Sequence, residues 1–534
     1  MAAHGPDVSL SDAADAPGES VLATLDGTFP TRVAAIDVGS NAMRFIAAEF
    51  IGPAHYTVLE QTRTPVRLGH DVFLTGRLTD SAMNAAIVAL ASYQQRLRTT
   101  DITRYRAVAT SAVRDSDNGD EFVERARAEA GIEIEMITGA EEVRLVHQAV
   151  RNRIDLGEDR WILVDLGGGS VEVSLVDDRD VRWSVSHGMG SVRLLEELQV
   201  AGDEPGRFRR RLEEYASTMR VPAVGRSRRA GFIATGGNIE ALAKMADAPT
   251  DDRGVARLPI ETLRRLIEQL AHLSYHQRVT ELGLREDRAD VILPAATVYE
   301  QLCAQTGFDV IHVPQVGLKD GVIIDLVDDY ARHEPHVERQ EQIVLNGAIA
   351  LGRRFRFDAA HARHVVRLAL SMFDQLQDLH RLPRRDRRVL IAGAALHDVG
   401  LFINYRKHHK HSFYIVSQSE LPGLTPDEIL MAANVARYHR KGEPSPHHET
   451  YMELTENQRG RVSRLSAMVR LADALDREHL QTVREVRVSV TNGTALVEPL
   501  GGGDLLLEKW AVQRKVAFFE KVFDLQVKVK EQRT

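Results

Sequence analysis

The sequence predicts an α/β fold of two half-domains around a cleft, followed by an all-α domain and a small α+β segment. Strand-like and helix-like patterns alternate from residue 33 to about residue 327. Two apolar strands in this region each end in an aspartate and a glycine-rich turn, Asp37-Val38-Gly39-Ser40-Asn41 and Asp165-Leu166-Gly167-Gly168-Gly169-Ser170. From about Glu338 onward the pattern changes to long helices. The paired turns indicate two halves that face each other.

Composition sets broad limits. The chain has 534 residues, 43% of them apolar, which is enough for several packed cores. Its formal charge of −8 argues against a DNA-binding protein but does not exclude a polyanionic substrate. A single cysteine, Cys303, rules out a disulfide framework and fits a reducing, cytoplasmic location. Residues 1–31 lack the features of a signal peptide and are expected to form a disordered tail. No window is apolar enough to insert into a membrane.

Local sequence patterns predict the strands and helices of the first half. The strand at 33–36 leads through the first turn into a second strand at 41–49, and the two predict a hairpin. Asn118 and Glu121 have capping-box spacing at the start of a helix. Glu141 and Glu142 open another helix, which leads to the second turn. The other expected elements are a helix at 80–98, a strand at 105–110 that ends near Ser111 to Arg114, and a strand at 132–137.

The second half contains a further glycine turn. Thr235-Gly236-Gly237-Asn238 follows a strand at 232–234 and precedes a helix at 239–245. Glycine lets backbone N–H groups approach a phosphate closely, and the start of a helix leaves such groups unpaired. An aspartate at a strand end can hold a divalent cation or a water. One such turn is compatible with a simple tight connection, whereas three of them, two with aspartate, predict a phosphate-binding cleft.

These motifs resemble those of the exopolyphosphatase and guanosine pentaphosphate phosphatase (Ppx/GppA) family, within the superfamily of actin, sugar kinases and heat-shock chaperones. Three more segments support the resemblance: Ala109-Thr-Ser-Ala-Val-Arg114 with Asn118, Thr138-Gly-Ala-Glu-Glu-Val-Arg-Leu145, and Gly188-Met-Gly-Ser-Val-Arg193. The resemblance covers nearly all of residues 33–330. It implies actin-like (ribonuclease H-like) half-domains at 32–145 and 146–330, a hydrolase that removes terminal phosphates, and a homodimer.

The resemblance also implies roles for single residues. Glu142 would be the base, although its spacing alone equally fits a first-turn helix acid, which is the interpretation of Glu141. Asp165 and Glu172 would share Mg²⁺, and Asp37 would act on the metal or on the attacking water; a monovalent-cation requirement stays open. The expected phosphate-binding groups are turn residues and two arginine clamps: Gly39, Ser40, Asn41, Gly167, Gly168, Gly169, Ser170, Gly236, Gly237, Arg44 and Arg114.

A second constellation lies in the helical region. His361, the doublet His397-Asp398 and Asp473 lie on apolar stretches predicted to be helical, at 361–370, 389–399 and 465–475. Imidazole and carboxylate groups from separate helices can converge on one divalent ion. The pattern resembles an HD domain, here at 338–482, with His364 as an alternative first ligand. The other interpretation is that the His-Asp pair only caps and connects helices.

Two basic clusters occur in the same region, His408-His409-Lys410-His411 and Tyr438-His439-Arg440-Lys441. Such runs usually form a solvated face, and we also consider His439, Arg440 and Lys441 as a track for a long polyanion. The segment 483–534 predicts a small α+β cap: a hairpin around Asn492-Gly493, a loop at 501–503, a helix at 510–519 and a strand at 523–529.

The function expected from the resemblance is Mg²⁺-dependent exopolyphosphatase activity, which releases orthophosphate from linear polyphosphate. Hydrolysis of guanosine pentaphosphate is the first alternative, because its 5′ terminal anhydride presents nearly the same chemistry. A non-catalytic sensor of polyphosphate or nucleotide is the second. A kinase is disfavoured because no segment suggests a sugar pocket.

Overall fold

A computed structural model describes residues 29–52, 55–70, 72–199, 205–219, 221, 229–332, 336–440, 442–502 and 505–530. The chain divides into two compact units, an N-terminal unit up to His333 and a C-terminal unit from Glu334. Most of the expected tail, together with Lys441 and Gly503, lies outside the described residues. Within the described ranges, none of the helices has the length and apolarity needed to cross a bilayer.

The N-terminal unit contains two sheets with the same internal order. Its strands are β1 (Thr31–Val38), β2 (Met43–Gly52), β3 (His55–Thr64), β4 (Arg104–Ala109), β5 (Ile134–Met136), β6 (Arg160–Leu166), β7 (Val171–Val176), β8 (Val181–His187), β9 (Arg229–Thr235), β10 (Ala256–Pro259) and β11 (Val310–Val313). The first sheet has the order β3-β2-β1-β4-β5 and the second β10-β11-β9-β6-β7-β8. In both, a central strand (β1 or β6) pairs antiparallel with the next strand and parallel with a later one. This repeat confirms the two predicted half-domains.

Helices cover these sheets. They are α1 (Val72–Thr75), α2 (Asp80–Thr99), α3 (Ser111–Arg114), α4 (Gly119–Arg125), α5 (Gly139–Arg151), α6 (Ser191–Gln199), α7 (Pro205–Thr218), α8 (Gly237–Met245), α9 (Ile260–His272), α10 (Tyr275–Thr280), α11 (Glu286–Ala289), α12 (Ile292–Thr306) and α13 (Leu318–Arg332), with a π-helical turn at Ala126–Ala130. One core joins β1 to α5 and α13 through Ala35, Leu145 and Val322. The helix α13 therefore packs on the first sheet, although it lies in the segment expected for the second half-domain.

Several local expectations are met in the N-terminal unit and one is wrong. The hairpin of β1 and β2 forms around the first turn, with Asp37 opposite Arg44. The helix α5 begins at Gly139 and carries the two glutamates in its first turn as expected, with the side chain of Thr138 capping it. Asn118 makes no capping bond to α4; instead it accepts the N–H of Leu78 at 2.8 Å and donates to the carbonyl of Leu78 at 3.0 Å. The predicted capping box is absent because this long-range amide pairing uses the side chain of Asn118.

The C-terminal unit has one apolar core shared by its helices and a small sheet. The helices are α14 (His336–Arg354), α15 (Ala359–Gln375), α16 (Gln377–His380), α17 (Asp386–Ala395), α18 (His408–Ser417), α19 (Pro426–Arg437), α20 (Glu449–Met452), α21 (Glu456–Ala474), α22 (Leu506–Gln513) and α23 (Val516–Phe523), with a 3-10 turn at Val399–Phe402. The strands β12 (Val483–Thr491), β13 (Thr494–Gly501) and β14 (Gln526–Val529) form the sheet.

Several boundaries in this unit differ from prediction; the strand predicted at 523–529, for example, begins only at Gln526. The helix α17 ends at Ala395, so His397 and Asp398 lie in the turn beyond it and not on a helix reaching residue 399. Gly501 pairs with Val483 at the end of β13 and is not in a loop. The helix predicted at 510–519 is two helices, α22 and α23. The hairpin around Asn492 is confirmed, because β12 and β13 pair antiparallel on either side of it.

Candidate functional site

The three predicted glycine turns meet in the N-terminal unit, and we call the region they form the glycine-turn site. A Cβ atom placed on Gly168 of the second turn would lie 2.9 Å from Cβ of Ser40 in the first turn. A Cβ on Gly237 of the third turn would lie 3.8 Å from Nη2 of Arg44, which follows the first turn. Asn41 also donates from Nδ2 to the carbonyl of Asp287 at 2.9 Å. The fold therefore brings the predicted turns together.

The second turn is fixed by the segment before α6. A Cβ on Gly190 would lie 2.4 Å from the carbonyl carbon of Gly168, so only glycine permits this backbone contact. Arg193 donates from Nε to the carbonyl of Gly169 at 3.0 Å. Gly167 donates its N–H to the carbonyl of Ser170 at 3.0 Å, which corrects the expectation that it is free for phosphate. The N–H groups of Gly168 and Gly169 have no hydrogen-bond partner among the described residues.

Asp165 and Glu172 form a buried pair of acids. They stand directly opposite each other on β6 and β7, so their side chains share one face of the sheet. Thr235 donates to Asp165 at 2.6 Å and Ser186 donates to Oε1 of Glu172 at 2.8 Å. Oε2 of Glu172 is buried and accepts no hydrogen bond in the described part of the chain.

The electrostatics of this pair favour a cation. Burial raises the pKa of Asp165. Burial and the nearby charges of Glu142 and Asp165 raise the pKa of Glu172 well above its usual value. An unsatisfied buried carboxylate oxygen beside a second acid is costly unless a cation or a proton joins it. Hard oxygen ligands of this kind fit Mg²⁺, and the donor set is therefore compatible with the expected metal.

Glu142 is held by Arg114 in the first turn of α5. Nη1 of Arg114 donates to Oε1 of Glu142 at 2.7 Å and to the carbonyl of Ile137 at 2.8 Å. The carboxylate is buried, and its charge acts on Glu172. Arg114 thus orients Glu142, and its role as a phosphate clamp stays a prediction.

Asp37 and Arg44 pair across the first hairpin. Nη1 of Arg44 donates to Oδ2 of Asp37 at 2.8 Å. Burial disfavours the charged form of Arg44, but the charge of Asp37 raises the pKa of Arg44, and Asp165 contributes in the same direction. Arg44 therefore pairs with the aspartate of the first turn and lies close enough to that of the second turn to interact with its charge.

Glu141 has a different environment from its neighbour. Its carboxylate accepts from Arg144 at 2.8 Å and from Arg106 at 3.2 Å. Both arginines also donate to Asp325 on α13, at 2.8 and 3.0 Å. Glu141 is a first-turn helix acid as predicted, and it is also part of a buried group of two cations and two anions. This network ties α5 to β4 and α13.

Arg288 was not found from the sequence. A Cβ on Gly237 would lie 2.9 Å from Nη2 of Arg288, so this guanidinium borders the third turn. Among the described residues it has no hydrogen bond or ion pair. Burial and the charges of Arg285 and Arg63 lower the pKa of Arg288 to about 10, although Glu240 and Asp287 act in the opposite direction. A guanidinium without a direct partner in this environment is suited to bind an anion. No local pattern near residue 288 marks it, because the approach to Gly237 is made by the tertiary fold.

In the C-terminal unit the four predicted HD-type residues lie together. Nε2 of His397 is 3.6 Å from Oδ2 of Asp398 and 3.6 Å from Oδ1 of Asp473. Nε2 of His361 is 3.3 Å from Nε2 of His397. Burial opposes protonation, but hydrogen bonds to Asp473 and Asp476 raise the pKa of His361 to about 9. His364 pairs instead with Arg367, so His361 is the member of the cluster.

Two further histidines join this cluster, and one prediction about them is wrong. Nε2 of His408 and Nε2 of His439 lie 3.0 and 3.4 Å from Oδ1 of Asp398. His439 is only 1% exposed, so it cannot belong to a basic surface track. Arg440 is half-buried, with its guanidinium carbon 5.7 Å from the ring centre of Tyr405. The basic run looked like a surface in the sequence because the turn that buries His439 has no local signature.

Comparison with known proteins agrees with this architecture. The Ppx/GppA phosphatase family model matches residues 49–330, and the model of Ppx/GppA phosphatase domain III matches residues 345–497. An exopolyphosphatase from Cytophaga hutchinsonii is 25% identical, with a TM-score of 0.52 over 56% of this chain and 98% of its own. A Ppx/GppA family member from Aquifex aeolicus is 26% identical, with a TM-score of 0.48 over 56% of this chain and 98% of its own. The chain, with its two actin-like half-domains and helical C-terminal region, belongs to the Ppx/GppA phosphatase family.

Proposed function

We propose that the N-terminal unit is a Mg²⁺-dependent exopolyphosphatase, which cleaves the terminal phosphoanhydride of linear polyphosphate with water and releases orthophosphate. The observation that carries this proposal is the environment of Glu142. Arg114 holds its carboxylate at 2.7 Å, and its charge acts on the buried acid Glu172 beside the glycine turns. A fixed carboxylate next to a cation-binding acid pair is suited to activate water beside a phosphate.

Different residues of the site would have different roles in the hydrolysis. Glu142 would accept a proton while the water oxygen bonds to the terminal phosphorus and the P–O bond to the remaining chain breaks. Asp165 and Glu172 would hold Mg²⁺, which offsets charge on the phosphoryl oxygens when bound. The free N–H groups of Gly168 and Gly169 and the unpaired guanidinium of Arg288 would bind the terminal phosphates.

Guanosine pentaphosphate is the second candidate substrate. The arginines that border the third turn, Arg288 and Arg44, provide positive charge at the site. Such a cluster fits a compact, highly charged phosphate group as well as the end of a polymer.

The test is phosphate release by the full chain from long-chain polyphosphate, triphosphate and guanosine pentaphosphate with Mg²⁺. We expect the highest kcat/KM for polyphosphate. Glu142→Gln should lose about 100-fold or more in kcat while it still binds polyphosphate. Glu121→Gln is the matched control, because Glu121 is an exposed first-turn acid of α4.

Each other outcome has a defined meaning. Unchanged release by Glu142→Gln would remove Glu142 as the base. A higher kcat/KM for guanosine pentaphosphate would replace polyphosphate by the nucleotide. Binding of all three compounds without turnover by the parent protein would favour a sensor.

A further inference from the structure

We infer that Thr235, at the end of β9, is a positioning residue for the cation of the glycine-turn site, and that Tyr299 on α12 holds Thr235 in place. Thr235 would fix the carboxylate of Asp165 so that one of its oxygens stays available to the ion. This inference rests on the proposed function, because it concerns the cation that Asp165 and Glu172 would hold. It gives the third turn a role besides the predicted binding of phosphate.

Thr235 and Asp165 lie side by side on parallel strands. They are register partners on β9 and β6, so their side chains share one face of the sheet. The hydroxyl of Thr235, which is 1% exposed, donates to Oδ1 of Asp165 at 2.6 Å. A hydroxyl has a single proton to donate, and the carbonyl of Val164, at 3.5 Å, is a much weaker acceptor. Asp165 is therefore the partner to which Thr235 donates.

The two acids of the site have the same arrangement of donors. Oδ1 of Asp165 accepts from Thr235, and Oε1 of Glu172 accepts from Ser186 at 2.8 Å. The second oxygen of each carboxylate accepts no hydrogen bond among the residues that the structure describes. A hydroxyl donor on one oxygen fixes the orientation of a carboxylate and leaves the other oxygen for a cation. Loss of such a supporting contact typically weakens metal binding by about 10- to 100-fold.

Tyr299 and Gly236 fix the backbone of Thr235. The hydroxyl of Tyr299, a fully buried residue, donates to the carbonyl of Thr235 at 2.6 Å. Gly236 has a φ angle of +111°, and a Cβ on it would lie 2.6 Å from the carbonyl oxygen of Leu166 and 3.0 Å from the Tyr299 hydroxyl. Only glycine permits so close an approach of the third turn to the end of β6. These contacts hold Thr235 beside Asp165.

Two other roles for Thr235 lead to different expectations. A residue that binds substrate phosphate would affect KM for the substrate, but the proton of this buried hydroxyl is already donated to Asp165. A hydrogen bond that served only the fold would, when lost, lower stability and leave the affinity of the folded protein for the ion unchanged. A positioning role predicts that the affinity for the ion itself falls.

The experiment measures Mn²⁺ binding to the full chain after EDTA treatment, because electron paramagnetic resonance detects the free ion. The parent for this test carries His361→Gln, which removes a ligand of the ion site predicted in the C-terminal unit. Glu172→Gln in this parent should abolish tight binding, which assigns the ion to the acid pair. Thr235→Val, which replaces the hydroxyl by a methyl group, should weaken Mn²⁺ binding by about 10- to 100-fold. Thr235→Ser, which keeps the hydroxyl, should restore the affinity.

Thr297→Val is the matched control. Thr297 is also buried in the N-terminal unit, but its hydroxyl donates to the carbonyl of Leu293 at 3.0 Å within α12, so this variant should bind Mn²⁺ as the parent does. In phosphate-release assays Thr235→Val should need about 10- to 100-fold more Mg²⁺ for half of its maximal rate. Its KM for polyphosphate at saturating Mg²⁺ should stay near that of the parent.

Each outcome bears on the inference or on the function beneath it. Equal Mn²⁺ affinity in the parent and in folded Thr235→Val would overturn the inference and leave the acid pair as the metal site. A failure of Thr235→Ser to restore the affinity would also overturn it. Mn²⁺ binding that Glu172→Gln does not change would remove the metal from the proposed function, and the inference with it. If Thr235→Val does not fold, Tyr299→Phe decides: we expect weaker Mn²⁺ binding, and unchanged affinity would overturn the inference.

Discussion

The adjacent residues Glu141 and Glu142 have different surroundings. Glu142 faces the glycine-turn site, whereas Glu141 accepts from Arg106 and Arg144 in a buried network. We expect Glu141→Gln to lower the free energy of unfolding of the N-terminal unit by about 3 kcal/mol, since the buried guanidinium groups of Arg106 and Arg144 would keep Asp325 as their one shared carboxylate, with the half-exposed Glu135 pairing only with Arg106. Urea denaturation measures this. Glu129→Gln, in an exposed pair with Arg125, should have little effect. Equal effects would contradict a structural role for the network.

Arg288 permits a second prediction at this scale. Its guanidinium borders Gly237, and burial together with Arg285 and Arg63 disfavours its charge more than Glu240 and Asp287 favour it, so the charge is more favourable with a bound anion than without one. We expect Arg288→Ala to raise KM for the phosphate substrate by about 10- to 100-fold, which is the worth of one charged hydrogen bond. The thermal stability of the Arg288→Ala variant without substrate should be unchanged or slightly higher. Steady-state kinetics and thermal unfolding test both parts.

A matched variant makes the Arg288 test specific. Arg285 is exposed and lies 3.7 Å from Asp287, so Arg285→Ala should change KM only slightly. An equal rise in KM for both variants would indicate a general field effect and not a contact with substrate.

The sequence predicts residues well where a motif is local. Asp165 and Glu172 were placed on one metal by their spacing in a family pattern, and the register of β6 and β7 sets them opposite each other. Arg288 and His408 could not be placed in this way. Their neighbours in space come from distant segments, and only the packed chain shows that Arg288 reaches the third turn.

At the scale of elements, α5 is positioned by a buried histidine. His147 donates from Nε2 to the carbonyl of Asp177 at 2.8 Å. Burial lowers the pKa of His147 to about 4, whereas an unfolded histidine titrates near about 6.5. The unfolded state therefore binds more protons between these values. The stabilisation is complete above about pH 6.5 and falls as the pH drops toward 4, by up to about 3 kcal/mol.

Urea unfolding of the N-terminal unit at pH 7, 6 and 5 tests this. The parent protein should lose stability faster than His147→Gln as the pH falls, since the variant lacks the titrating group. His276→Gln is the control, because His276 is exposed. Parallel pH profiles for the parent and His147→Gln would show that His147 is not the responsible group.

The contact between the second turn and the start of α6 gives another prediction. Gly190→Ala would place a methyl group 2.4 Å from the backbone of Gly168 and Gly169, which must then shift. We expect a loss of more than about 10-fold in kcat, since small misplacement of binding groups is costly in catalysis. Gly317→Ala has open space around its Cβ and should keep its activity. Comparable kcat values for the two variants would show that the turn tolerates displacement.

Helices and strands were predicted correctly where the periodicity of apolar residues was strong, whereas the ends of some elements were predicted wrongly. The helix α2 and the hairpin of β1 and β2 follow directly from local patterns. The helix α17 was predicted four residues too long because apolar residues continue beyond Ala395, although the backbone there turns. That turn places Asp398 beside His397 and His408 in the histidine cluster of the C-terminal unit.

At the scale of the molecule, the net charge of the chain did not indicate where positive charge is concentrated. The chain carries a formal charge of −8, yet arginines gather where the site meets the third turn. The division of the chain into two units was predicted more accurately, because the helical pattern begins near the observed boundary at His333 and Glu334. The Cytophaga exopolyphosphatase is covered over 98% of its length by 56% of this chain. Much of the chain therefore lies beyond what that relative contains, and its chemistry must be inferred from its own residues.

The separate cores of the two units lead to a prediction about metal removal. One core lies wholly in the C-terminal unit, so each unit is expected to unfold in its own transition. One divalent ion held by His361 on α15 and Asp473 on α21 would bind only the folded C-terminal unit. At 100 times the dissociation constant such an ion adds about 2.7 kcal/mol, so Mn²⁺ should raise that unit's Tm by roughly 5 to 10 °C after EDTA treatment. Hydrogen exchange should slow in Ala359–Gln375 and Glu456–Ala474 and stay unchanged in β1. His361→Gln should abolish the Tm shift, and an undiminished shift in this variant would contradict the predicted ion site.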